Sequence, residues 1–145
     1  MEELTYEKTT GIKEILAELR RLNAGRPKKA YCRFRSTFYT LGYRPLLPGS
    51  EDDMARAALI AAQQFGGRVV RVAATRYSLQ IDFLAPAELS LHRANVILRK
   101  ATSQAYKARH RGIGPESSRG YLWKSQTISE TMPPLLGRPV EYEEI

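Results

Sequence analysis

The chain has 145 residues, 43% of them hydrophobic, which suits a single domain with a real core. No run approaches the ~18 apolar residues of a membrane span, the acidic start Met1-Glu2-Glu3-Leu4 lacks the apolar stretch of a secretory signal, and the lone Cys32 excludes an internal disulfide or a cysteine-built zinc cluster. Charge is the strongest compositional signal: 23 Lys and Arg against 15 Asp and Glu, net +8, pI ≈ 9.8.

The charge is uneven. Residues 8–125 carry 22 basic and eight acidic side chains, a net +14, while Glu2, Glu3, Glu7, Glu141, Glu143 and Glu144 collect at the two ends. A basic body of this strength favours a polyanionic partner, because each cation that neutralises a phosphate releases a condensed counterion. A cytoplasmic protein without a membrane partner is the simplest expectation.

In chain order, helical spacing of Ile12, Ile15, Leu16, Leu19 and Leu22 predicts a helix over 11–23. Asn23-Ala24-Gly25 and then Pro27 stop it. Residues 1–27 are read as this helix and a linker, 28–131 as the domain proper, and 132–145 as an irregular acidic tail. The helix's apolar stripe is available to a second copy or to a protein partner.

A strand follows over 30–41. Strict alternation puts Cys32, Phe34, Ser36 and Phe38 on a core face and Tyr31, Arg33, Arg35, Thr37 and Tyr39 on the other. That second face is aromatic and cationic, a combination that serves phosphates and bases. Past a Gly/Pro loop, Ser50 and Asp53 resemble a capping box. The small apolar stripe of Met54, Ala57, Ala58, Ala61 and Phe65 marks a helix, closed by Gly66-Gly67.

Two strand segments, 68–75 and 77–84, come next, as a hairpin or as one long bent strand. Pro86 ends them. Ser90 is a fair N-cap for a long helix to about Arg109, with Leu91, Ala94, Leu98, Ala101 and Ala105 as its buried stripe. Arg93, Arg99, Lys100, Lys107 and Arg109, with Arg111 beyond, form a cationic ridge, since no acid lies between Glu88 and Glu116. A Gly/Ser loop leads to a last strand over 121–129.

Helix, then β-α-β(β)-α-β, predicts an α+β fold: a ferredoxin-like, RRM-like antiparallel sheet with two helices on one face, plus the N-terminal helix. Such a sheet leaves a face open, and nucleic-acid-binding domains of this shape use it.

The segment 69–129 resembles the HUH-type single-tyrosine transposases of the insertion-sequence 200/605 and REP-associated class. The resemblance lies in the run from Tyr77 to Pro86, then Leu89-Ser90, the helix with Lys100 and Ser103, and Leu122-Trp123. It implies a surface that holds a folded DNA or RNA hairpin. The family's two metal-binding histidines would fall at Ser78 and Gln80, neither of which replaces imidazole for a divalent metal. The tyrosine-bearing helix would fall where Pro133, Pro134, Gly137 and Pro139 forbid one, with Tyr142 the only tyrosine nearby. The expectation is a binding protein without a catalytic residue, metal or cofactor.

Other chemistry is poorly served. His92 and His110 stand eighteen residues apart without ligand partners, and His110-Arg111-Gly112-Ile113-Gly114 lacks the Lys-Ser/Thr of a phosphate loop. Glu51, Asp52 and Asp53 read as groups favouring a helix dipole. Three alternatives share the basic surface. One is a metal-independent endoribonuclease of the CRISPR repeat-processing type, with His92 or His110 as general base. The others are an active transposase with a divergent site and a structural subunit of a ribonucleoprotein.

Overall fold

A computed structural model describes residues 3–24, 30–110 and 122–133. The elements are β1 (Tyr6–Thr9), α1 (Ile12–Asn23), β2 (Tyr31–Tyr39), α2 (Glu51–Gln64), β3 (Arg68–Ala74), β4 (Ser78–Pro86), α3 (Leu91–Arg109) and β5 (Ile128–Thr131). They build one five-stranded antiparallel sheet in the order β1-β3-β4-β2-β5. Without β1, that order is the ferredoxin-like one, so the expected α+β fold is present.

One sheet face carries α2 and α3. Phe38, Val72, Leu79, Ile81 and Phe83 meet Met54, Ala58, Ala62 and Leu98 there, all nearly or fully buried. The alanines of α2 have no bulk beyond Cβ and so let that helix lie close to the sheet. Gly67 makes a similar approach possible at the helix exit. A Cβ there would lie 2.2 Å from the Leu84 carbonyl oxygen, so only glycine fits.

The other face is not left open. Ile15 and Leu19 of α1 are fully buried against Tyr31, Val70 and Leu84, a second small core. The stripe expected to await a partner is thus used within the chain, although Ile12 stays 44% exposed. A bulge in β3 between Val69 and Arg71 helps build this side. Its extra residue puts Val70 under α1 and Arg71 beside it on the same face. The N-terminal segment, read as a linker-joined helix, also supplies a strand: β1 pairs with β3 from Tyr6↔Ala74 to Thr9↔Arg71.

One open alternative is resolved and two local expectations are corrected. β3 and β4 form a hairpin rather than one bent strand, turned at 75–77 with the Thr75 N–H donating to the Ser78 carbonyl. The last strand is Ile128–Thr131, not 121–129. Trp123 instead makes a single bridge to Thr40 and buries its ring against Phe38. Ser50 does not cap α2; its hydroxyl donates to the Leu47 carbonyl at 2.8 Å.

α1 is also tied down electrostatically. The Glu18 carboxylate accepts from the buried Arg68 guanidinium and from Arg21 at 2.9 Å. These hydrogen bonds, Arg68 first, hold Glu18 below its ordinary 4.5. A carboxyl with a lowered folded pKa stabilises the fold fully above its unfolded pKa, and this is lost as pH falls through the folded one. Urea midpoints should therefore decline as pH drops below 4.5. Glu18→Gln should remove that share of the decline; an identical acid profile for the variant would refute the assignment.

Candidate nucleic-acid interface

The α1-side face of the sheet gathers the first group of predicted residues. Strand alternation puts Arg33, Arg35, Thr37 and Tyr39 of β2 beside Leu84, Asp82, Gln80 and Ser78 of β4, in cross-strand register. Arg33 and Arg35 therefore share a face with Ser78 and Gln80, as expected. They do not share it alone. Asp82, fully buried, takes a bidentate pair from Arg33 (Nε–Oδ1 2.9 Å, Nη2–Oδ2 2.8 Å) and a longer contact from Arg35 (Nη2–Oδ2 3.3 Å). Arg33 Nη1 also donates to the Pro133 carbonyl at 3.1 Å. Arg71, opposite Asp82 on β3, donates Nε to Glu7 (2.5 Å) and Nη1 to Gln80 Oε1 (2.7 Å). Three guanidiniums thus meet two carboxylates, and the face is far less cationic than β2 alone suggests.

Tyr31, expected on the open face, is covered by α1 and 5% exposed; burial pushes its phenol pKa up. Tyr39 is half-buried at the far end. Cys32, expected in the core, is exposed.

The positions that would hold a metal by resemblance also have other partners. Ser78 Oγ lies 2.6 Å from Thr75 Oγ1, and Gln80 Oε1 accepts from Arg71. A hydroxyl and a neutral amide beside a guanidinium do not fit a divalent cation. Among the described residues no three His, Cys, Asp or Glu side chains cluster as a metal site.

The second group lies along α3. Ser90 caps it, accepting from the Arg93 N–H at 3.1 Å. Ala94, Leu98 and Thr102 are buried, whereas Ala101 and Ala105 are only half-buried. Thr102 Oγ1 donates to the Leu98 carbonyl and accepts from Trp123 Nε1 at 3.0 Å, which pins the 122–125 segment to the helix. Arg93 and Lys100 are exposed and Lys107 is half-buried. Their seven-residue spacing keeps the three on one side of the helix. Arg99 reaches across to the Ser125 carbonyl at 2.5 Å. Arg109 pairs with Asp53 at 2.9 Å, so the helix end is partly neutralised. Arg111 lies outside the described residues, as do Tyr142 and the rest of 134–145.

Between α3 and the segment returning to β5 runs a groove of two adjoining cavities, about 520 and 390 Å³. They share Val96, Arg99 and Ser125; Lys100 and Lys107 line the first, His92 and Thr127 the second. No described lining residue is acidic. At one end of the floor, Ser36, Asn95 and Ser129 close a triangle of hydrogen bonds (2.6, 2.8 and 3.0 Å) that joins α3 to β2 and β5. The groove is not visible in the sequence as such; its only trace there is the Leu122-Trp123 pair opposite the basic helix.

The histidines are not brought together. His92 is exposed at the start of α3, and His110 is buried just past its end, its ring tilted against that of Tyr106 with centroids 4.7 Å apart. The two lie about 27 Å apart along the axis. Burial, and then Arg109, push the His110 pKa down.

The sheet order and the paired helices on one face define a ferredoxin-like domain, with a basic flank along α3. Among solved structures, the chain is similar to a "putative transposase" from Deinococcus radiodurans R1, at TM-score 0.64 and 15% identity, over 74% of this chain and 84% of that one. At that identity the likeness is one of fold. No family model matches the sequence, and no curated protein does. No helix among the described residues is long and apolar enough to cross a membrane.

Proposed function

We propose that this domain binds nucleic acid without cutting it, and that it descends from the HUH-type single-tyrosine transposases. Its ligand is structured or single-stranded DNA or RNA. The observation that carries the reading is the α3 flank, where Arg99, Lys100 and Lys107 line a groove with no described acidic side chain in its lining and Arg93 is exposed on the same side of the helix as Lys100. Arg33 and Arg35 contribute less than the strand pattern suggests, because Asp82 already holds them. Ser78 and Gln80 supply neither imidazole nor charge, which supports binding over strand cleavage.

Anisotropy titrations with labelled hairpin and single-stranded oligonucleotides test this. Four phosphate contacts give a slope of log K against log salt of about −3 for a single strand, roughly a 60-fold loss between 50 and 200 mM. The oligonucleotide should be recovered intact after incubation with Mg²⁺ or Mn²⁺. Salt-independent binding, or no binding to any probe, refutes the reading. A cut strand would favour an active transposase instead.

A further inference from the structure

The part of the α3 groove next to β5 differs in kind from the part bearing Lys100 and Lys107. Apart from two aliphatic side chains, this cavity of about 390 Å³ is lined by His92, Asn95, Arg99, Ser125, Thr127 and Ser129, and no described lining residue is acidic. Glu130, the next residue along β5, is paired opposite Arg35 and so belongs to the other sheet face.

The hydrogen bonds here fix which hydrogens are left over. The Ser36 hydroxyl donates to Asn95 Oδ1 at 2.6 Å, and Asn95 Nδ2 donates to Ser129 Oγ at 3.0 Å. With the Ser36 hydrogen committed, the 2.8 Å contact between the two hydroxyls must run from Ser129 to Ser36. The ring is closed, and the one polar hydrogen it does not use is the second amide N–H of Asn95. Arg99 Nη1 donates to the Ser125 carbonyl at 2.5 Å and more weakly to Thr127 Oγ1 at 3.5 Å. Arg99 Nε and Nη2 have no acceptor among the described residues, and the Thr127 hydroxyl, as an acceptor from Arg99, keeps its own hydrogen to give.

Guanidinium, amide and hydroxyl donors thus line one cavity. The ring and the Ser125 carbonyl hold them in place, and that carbonyl is already engaged. A ligand of negatively charged acceptor oxygens matches this set; a cation or an apolar side chain does not. Lys100 and Lys107, by contrast, offer point charges on flexible stems.

We propose that this cavity is a phosphate subsite, in which Asn95, Arg99 and Thr127 donate to the oxygens of one phosphate group. Binding of a phosphate as such is independent of the function proposed above. Its role in a strand rests on that function: one phosphodiester is held at a fixed point while the lysines attract its neighbours diffusely.

Inorganic phosphate, titrated into the isotope-labelled full chain against chloride at constant ionic strength, tests the site. Amide signals of Asn95, Ser125, Thr127 and Ser129 should shift saturably in the millimolar range, with Ile60 on α2 unmoved. Thr127→Val keeps the side-chain shape and removes the donor; it should weaken phosphate about fivefold, the loss of one hydrogen bond. Asn95→Asp, which sets a carboxylate in the cavity, should abolish the shifts. Shifts that do not saturate, or an unchanged affinity in Thr127→Val, overturn the subsite.

Phosphate should also compete with labelled oligo(dT) beyond the effect of chloride at equal ionic strength. If oligo(dT) binds and phosphate fills the cavity without competing, the ligand there is a free phosphate and the role in a strand falls. If phosphate fills the cavity but neither oligo(dT) nor the hairpin binds, the subsite stands and the nucleic-acid reading falls. If oligo(dT) binds with the expected salt slope while phosphate shifts none of these amides, the nucleic-acid reading stands and the subsite falls.

Discussion

Asp82→Ala is expected to destabilise the fold by about 3 kcal/mol, the low end of the range for removing one partner of a buried ion pair. Asp82 is fully buried and lies under two arginines, whose side chains are 18% and 26% exposed. Without the carboxylate, two half-buried guanidiniums repel each other, and Arg35 Nε already has no acceptor among the described residues. Their partial exposure to water keeps the cost from being larger. Urea unfolding followed by Trp123, the only tryptophan and a buried one, measures it. Asp82→Leu with Arg33→Met and Arg35→Met should recover most of the loss, since apolar groups of similar size can replace an ion-pair cluster. A loss under about 1 kcal/mol for Asp82→Ala would mean that the cluster contributes little.

Arg93→Ala with Lys100→Ala is expected to weaken nucleic-acid binding about tenfold at ~150 mM salt and to flatten the salt slope by about 1.5–2. Both side chains are exposed on the same side of α3, and neither has an ion pair among the described residues. Their removal should change stability by less than about 0.5 kcal/mol. Arg109→Ala provides the contrast: with its guanidinium already on Asp53, its removal should move the slope less. Equal slopes for the Arg93/Lys100 double variant and the parent protein would remove α3 from the interface.

Much of the fold is legible in the sequence, because periodicity is local. The alternation of β2, the Ala-rich stripe of α2, the Ser90 cap and the basic side of α3 can each be read within one element. What is not legible depends on register between distant strands. Asp82 reads as one polar residue in an apolar run, and only the pairing of β4 with β2 sets it under arginines 47 and 49 residues away. Tyr31 reads as an exposed aromatic because nothing local says that α1 lands on it. β1 holds one half-buried residue in four and offers no apolar pattern to detect. Leu122-Trp123 looks like a strand core, yet its tryptophan acts as a peg into the space between α3 and β2. The bulge at Val70, which sets two consecutive side chains on one face, has no sequence signature at all.

The first strand has a consequence for how the protein is handled. β3 is buried along nearly its whole length, and β1 occupies its outer backbone hydrogen-bonding edge through a short, charged stretch bearing Glu7 and Lys8. Cutting the chain just ahead of α1 would bare a valine-rich ribbon to solvent with its amides and carbonyls unmatched, a template for recruiting other chains. Trimming the amino end to improve expression would therefore work against solubility, and affinity tags belong on the carboxyl side or beyond an intact first strand.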